Sequence, residues 1–233
     1  MTNRFSQYRS ISSIIFALFL TVMTNDSLSA ELSTQLPTIK LENHWQFCPV
    51  QNFQPDVDPS VLNCKPINLP NGWESVQPEY DGYGLLYTNF DISKLYMNKP
   101  LAIFIKQLRD ADKLFINDYF IGGMGNFPPN FEKAVLYSRL YSIPSHVFNY
   151  DKPNTLKVWI YNDARPGGIT HSVPVISGYE ALLKNYYYDN YGMLAFIIVL
   201  VFFGLLHFTY YSFHTHSKEN LLLLFPSYLR HYV

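Results

Sequence analysis

The run from Gly192 to Tyr211 contains no Asp, Glu, Lys or Arg, and His207 is its only ionisable group apart from tyrosine. A helix of about 20 residues rises ~30 Å, which matches a bilayer's hydrocarbon core, so the run predicts a transmembrane helix rather than a buried core helix. Tyr186, Tyr187, Tyr188 and Tyr191 precede it, and Tyr210 and Tyr211 close it. Those are the positions where aromatic side chains gather at membrane interfaces. The segments flanking the run must then lie on opposite sides of a membrane.

Residues 1–30 read as an export signal. Arg4 and Arg9 make a positive start, Ile11 to Met23 is mostly apolar, and Ser27-Leu28-Ser29-Ala30 offers small residues for cleavage. An uncleaved anchor is the alternative, disfavoured because the apolar core is short of the ~20 residues a span needs. The expected order is an extracytoplasmic domain over 31–183, an aromatic linker over 184–191, the span over 192–211 and a short cytoplasmic tail over 212–233. That places the domain outside the cytoplasm, and Lys218 and Arg230 agree with a tail on the inside. Asn220 to Phe225 begins a second apolar run, which Pro226 and Arg230 break.

The domain reads as all-β. Leu85 to Ile92 alternates, Leu101 to Leu108 is nearly continuous, Tyr137 to Ile143 alternates, and Thr155 to Tyr161 sets Leu156, Val158 and Ile160 against Lys157, Trp159 and Tyr161. Nineteen Tyr and eighteen Phe against eleven Gly suit strands better than a helical bundle. Between Leu114-Phe115-Ile116 and Tyr119-Phe120-Ile121, Asn117-Asp118 supplies the left-handed residues of a two-residue type I′ turn, which predicts a hairpin over 111–127. Gly122, Gly123 and Gly125 then predict that the second strand leaves the sheet, either as a plain bulge or as a loop shaped for a ligand, ending at Pro128-Pro129. Regularly spaced strands without intervening helices indicate an antiparallel sandwich or jelly roll, and ~150 residues suffice for one core.

Cys48 and Cys64 are the only cysteines. In an exported chain they predict one disulfide worth ~3 kcal/mol, between a strand at Asn43 to Phe47 and another at Lys65 to Leu69; two free thiols are the alternative. A net charge of −1 with both signs dispersed excludes a nucleic-acid surface.

Several motifs occur in an order that resembles a known family: Leu69-Pro70 with Trp73, Gly82-Tyr83-Gly84-Leu85-Leu86-Tyr87, the 112–122 hairpin with Gly125-Asn126-Phe127-Pro128, Arg139-Leu140-Tyr141-Ser142-Ile143-Pro144, Asn154-Thr155-Leu156 and Gly167-Gly168-Ile169. Over about Leu41 to Leu183 the chain is similar to galactose-binding-like jelly rolls, both the sugar-binding domain of glycoside hydrolase family 2 and the exported sensor domains of bacterial receptors of the seven-transmembrane diverse intracellular signalling type. The family hairpin usually turns on Asn-Gly where this chain has Asn117-Asp118. The resemblance implies a jelly-roll sandwich followed by one transmembrane helix, and binding rather than catalysis, since the catalytic carboxylates of family 2 hydrolases lie in a separate barrel domain. It also implies a bacterial inner-membrane receptor with its domain in the periplasm, cut off after its first span, with an output module such as a diguanylate cyclase beyond.

Chemistry-bearing motifs are sparse. There is no Gly-x-Ser-x-Gly elbow, phosphate loop or His-x-x-x-His pair, and His214 and His216 read as a solvated turn rather than a metal site. Asp110, Asp112 and Asp163 are carboxylates whose separation the sequence does not fix. A ligand site is expected in the loops at one end of the sandwich, from Trp73, Arg109, Asp110, Asn126 and Arg165, which together supply charged forks, an amide and an aromatic face. The expected partners are a small polar ligand, with a sugar the leading candidate, membrane lipid and a second receptor subunit; no cofactor is expected. Two function classes are compatible with these features: a ligand-sensing input domain of a membrane receptor, or a membrane-tethered carbohydrate-binding or structural adhesion module.

Overall fold

The computed structural model describes residues 36–134, 137–164 and 166–213, so the predicted export signal, Arg165 and all of the predicted tail beyond Phe213 lie outside the described residues. Asn117 and Asp118 both take positive φ, 48° and 69°, as a type I′ turn requires. They join β7 (Ala111–Ile116) to β8 (Tyr119–Met124). Gly122 and Gly123, expected to start the departure from the sheet, stay paired with Leu114 and Lys113, and a bulge between Leu114 and Phe115 absorbs the irregularity. Gly122 is small because of packing: a Cβ there would meet the Tyr141 ring at 2.4 Å. The chain leaves at Gly125, where φ is +75°.

β7 and β8 form one edge of a six-stranded antiparallel sheet, ordered β3-β2-β5-β10-β7-β8, with β2 (Gln46–Val50), β3 (Lys65–Pro66), β5 (Gly82–Phe90) and β10 (Asn154–Asn162). A four-stranded sheet is ordered β1-β12-β6-β9, from β1 (Ile39–Lys40), β6 (Leu101–Ile105), β9 (Arg139–Ile143) and β12 (Val175–Gly178). A short ribbon pairs β4 (Asn71–Gly72) with β11 (Gly168–Ile169). Leu86, Leu114 and Val158 from the first sheet and Ile103, Ile105, Ile143 and Ile176 from the second share one buried cluster, which makes the domain a two-sheet sandwich. β2 starts at Gln46, later than the predicted Asn43, because the chain bends at His44 (φ 61°) and Trp45 Nε1 donates back to the Leu41 carbonyl at 2.8 Å. Cys48 therefore sits inside the strand, and its predicted bridge to Cys64 is formed.

Both outer faces are covered. On the six-stranded sheet, Cys48, Leu85, Phe115 and Trp159 make a second buried cluster under Phe53, Val57, Leu62 and Cys64. Residues 51–64 thus lie across the sheet as a flap, held by the disulfide and by Lys157, whose Nζ donates to the Pro55 and Val57 carbonyls (3.2 and 3.3 Å) and pairs with Asp118 at 2.5 Å. On the four-stranded sheet, Ala102 and Phe104 pack against Leu182.

Leu182 belongs to α1 (Tyr179–Phe213), a single helix of 35 residues. The stretch predicted as a linker, 184–191, is helical, because Tyr179, Leu182 and Tyr186 repeat at helical spacing against the sheet. The stem is fixed further by Lys106 Nζ to Asp189 at 2.9 Å and by the Ser138 N–H to Asn190 Oδ1 at 2.9 Å. By length and composition α1 is apolar enough to cross a membrane.

The two sheets are also joined by charge. Arg139 Nε donates to Asp112 Oδ1 at 2.7 Å with neither side chain exposed, and the Tyr141 hydroxyl donates to Asp112 Oδ2 at 2.6 Å. Arg139 Nη1 donates to the Ala134 carbonyl at 2.6 Å and also to the Tyr137 carbonyl. Burial pushes the Asp112 carboxyl up, against the lowering effect of Arg139 and Tyr141. Burial and the Asp112 charge push the Tyr141 phenol up, so it remains a donor.

Removing one member of such a pair leaves the other charge buried and uncompensated. Arg139→Ala is expected to lower stability by ~3–5 kcal/mol, and the double variant Arg139→Met/Asp112→Leu to recover most of that loss. Thermal unfolding in detergent micelles, followed by the near-ultraviolet dichroism of the buried Trp45, Trp73 and Trp159, checks both.

Candidate functional site

Strand register brings one set of loops to one end of the six-stranded sheet. Val50 pairs with Tyr83, Asn162 with Gly82, Tyr161 with Ala111 and Asp112 with Met124, so β2 and β10 end where β5 and β7 begin and β8 leaves. The loop after Gly125 is closed by reciprocal backbone bonds between Asn126 and Glu132 (3.0 and 3.1 Å) and by Asn126 Nδ2 donating to Glu132 Oε2 at 2.8 Å. It is tied down by the Ala134 N–H donating to the Asp110 carbonyl at 2.7 Å.

Two adjoining hollows of about 510 and 560 Å³ open at this end and share Tyr83 and Pro128. The first is walled by Asn52, Phe53, Lys113, Asn126, Phe127 and Asn130 besides those two. The second is walled on its far side by Tyr80, Asp81 and Tyr161. Aromatic rings form the floor: Tyr83 packs edge-on to Phe127 (5.5 Å) and Tyr161 (4.8 Å), and Phe53 packs edge-on to Phe127 (5.3 Å). Burial, with Tyr161 adding to it, pushes the Tyr83 phenol up, so it stays un-ionised at neutral pH. Asp81 accepts from Asn162 Nδ2 at 3.2 Å. Lys113 Nζ lies 4.5 Å from the Phe53 ring centre and 5.0 Å from that of Phe127, and it meets no carboxylate among the described residues. The groove therefore offers ring faces and edges, amides, one cation at Lys113 and one carboxylate at Asp81, the combination used to bind a polar ligand that has apolar faces.

The residues predicted from sequence divide sharply. Asn126 lines the groove. Trp73, expected as an aromatic face, is 0% exposed: it stacks on Phe47 at 4.8 Å, donates from Nε1 to the Tyr80 carbonyl at 3.0 Å, and leaves no room for a Cβ at Gly84 or Gly167. It is core because its short helical turn, Trp73–Ser75, is pinned by the Trp73 N–H bond to the Gly167 carbonyl. Asp110 is buried and accepts from the Asp163 N–H at 3.0 Å, so it shapes the loop end without facing the groove. Arg109 is half-buried at the same end, its N–H donating to the Gly168 carbonyl at 3.4 Å, and it is not part of the groove wall. Arg165 lies outside the described residues. Lys113, Tyr83 and Phe53 were missed, although alternation about Leu114 places Lys113 on the outer face.

No family model matches the chain, and no curated protein matches it. Among solved structures it is similar to a beta-glucuronidase of Bacteroides uniformis, with 19% identity and a TM-score of 0.48 over 61% of this chain and 18% of that chain. It is also similar to a beta-glucuronidase of Ruminococcus gnavus in complex with D-glucuronic acid, with 16% identity and a TM-score of 0.47 over 61% of this chain and 29% of that one. The chain thus spans less than a third of the length of either structure.

The geometry separates a framework residue from a groove residue. Asp110→Ala is expected to destabilise the domain by ~1–3 kcal/mol, since a bond to a buried carboxylate is lost, and Lys113→Ala by ~1 kcal/mol or less, for a partly exposed cation–ring contact. Unfolding midpoints of the two variants measured side by side check the order.

Proposed function

We propose that this chain is a membrane-anchored, extracytoplasmic domain that binds a small polar ligand, in the first place a sugar, without altering it, and that serves as the input of a receptor. The observation that carries the reading is the groove around Tyr83 and Pro128, where ring faces, the amides of Asn52, Asn126 and Asn130, and the Lys113 ammonium converge. Sugars present C–H faces to aromatic rings and hydroxyls to amides, so this wall suits them. Binding without turnover is favoured because the groove residues named above include a single carboxylate, Asp81, whereas glycoside hydrolysis uses two across ~5–9 Å.

The galactose-binding-like, jelly-roll lineage is part of this reading and rests on the motif order in the sequence. The placement outside the cytoplasm rests on the export signal read in residues 1–30. The receptor role is supported by α1, which runs unbroken from the sheet it packs on into the apolar run, so that domain and span are joined without a flexible joint.

Calorimetric titration of the detergent-solubilised chain against a panel of neutral and acidic sugars tests the reading. A binder is expected, with Lys113→Ala and Asn126→Ala each weakening it about tenfold or more, which corresponds to losing a bond of ~1.5–3 kcal/mol. Hydrolysis of glycosides by the purified chain, or a complete panel without heat, removes the proposal.

A further inference from the structure

The groove and the exit of the helix lie at the same end of the domain. α1 begins with the Tyr179 N–H donating to the Pro100 carbonyl at 2.9 Å, at the start of β6, and passes Ala102 and Phe104 at Leu182. It reaches Lys106, past the end of β6, at Asp189, and Ser138, just before β9, at Asn190. From 179 to 190 a helix rises ~16 Å and from 100 to 106 a strand rises ~20 Å, so stem and strand run side by side in the same direction. Immediately after Lys106 the chain enters the loop to Ala111, at the end of the six-stranded sheet where the groove opens. The apolar run starts two residues after Asn190. If α1 crosses a bilayer, the groove end faces the membrane and the opposite end stands ~30 Å further away, the length of the nine-residue strands β5 and β10.

We infer that the groove opens onto the membrane surface and takes an anionic sugar presented there on a lipid; this rests on the sugar-binding reading of the groove. Lys113 supplies the charge that selects an anionic group, held at the wall between two rings and without a carboxylate among the described residues. Phe53, Tyr83 and Phe127 supply the apolar surface for the ring. Confinement to the same surface raises the effective concentration of the sugar, so a site of modest intrinsic affinity is filled by a lipid-borne ligand and left empty by a dilute free one.

Two measurements on the full chain in phosphatidylcholine nanodiscs test this. In the first, a fluorophore on Asn130→Cys, at the groove, or on Lys152→Cys, at the far end, is challenged with a nitroxide carried on lipid headgroups. Strong quenching at 130 and none at 152 is expected; equal quenching, or the reverse order, overturns the inference whatever the ligand. In the second, nanodiscs contain sulfatide, galactosylceramide or phosphatidylglycerol, or plain discs receive free galactose sulfate at the same total concentration. Sulfatide alone is expected to raise the thermal midpoint, by ~5 °C, with the rise lost in Lys113→Ala and kept in Lys113→Arg. An equal rise with phosphatidylglycerol overturns the inference, because charge without a sugar would then suffice. A response to free galactose sulfate and none to sulfatide overturns it while leaving the sugar reading of the groove intact; no response to either sugar counts against both.

Discussion

Arg139 and Asp112 meet between the two sheets with no exposure to water, and the loop end of the domain is built outward from that contact. Two charges withdrawn from solvent gain little net stability, since desolvation offsets most of their attraction. What the pair supplies is position. Beyond Asp112, the Arg139 guanidinium donates through Nη1 to the carbonyls of Ala134 and Tyr137, both in the segment that leads into β9. Ala134 in turn holds Asp110, and the next residue after Tyr137, Ser138, holds Asn190 of the helix. One buried ion pair thereby fixes the base of the groove loop and the docking point of the stem.

Neither sheet of this sandwich shows a full outer face to water, and each is covered in a different way. The four-stranded sheet carries a helix that continues into the apolar run. The six-stranded sheet carries a flap that lacks regular structure over most of its length and needs outside restraints, which the Cys48–Cys64 bridge and the Lys157 ammonium provide. Lys157 is 3% exposed, a cost for a lysine unless its donors are matched; two carbonyls and Asp118 match them. Asp118 is also a turn residue, so the same side chain that tolerates the left-handed hairpin helps to hold the flap.

Elements governed by local rules were legible in the sequence. The Asn117-Asp118 turn, the alternation in β10, the disulfide and the apolar run each depend on spacing within a few residues or on a scarce residue type. What was not legible depends on segments distant in sequence. Lys157, Trp159 and Tyr161 read as an opposing face, yet Trp159 is 0% exposed because the flap, about a hundred residues earlier, lies on it. The predicted linker is helix because a sheet lies beneath it. At the groove, Asn126 follows the glycines that end β8, whereas Trp73 carried no local sign that Phe47 and Gly167 would enclose it. Lys113 looked like an ordinary outward lysine; only Phe53 from the flap and Phe127 from the hairpin exit make it a groove residue.

That dependence bears on how the groove relates to the rest of the chain. Its walls come from three segments: the flap through Asn52 and Phe53, the strand faces through Tyr83 and Lys113, and the loop through Asn126 to Asn130. The strand faces belong to the rigid part, paired on both sides within the sheet. The flap and the loop do not, and Phe53 and Phe127 touch each other across the gap between them. The groove wall at Tyr83 and Lys113 is therefore flanked by two segments with separate anchors. The flap is anchored at the disulfide and Lys157, which lie along the sheet. The loop is anchored at Ala134, one hydrogen bond from Arg139, whose neighbour Ser138 binds the helix. Of the two walls outside the sheet, only the loop stands on the contacts that also seat α1: the Ala134 carbonyl accepts from Arg139, whose neighbour Ser138 donates to Asn190.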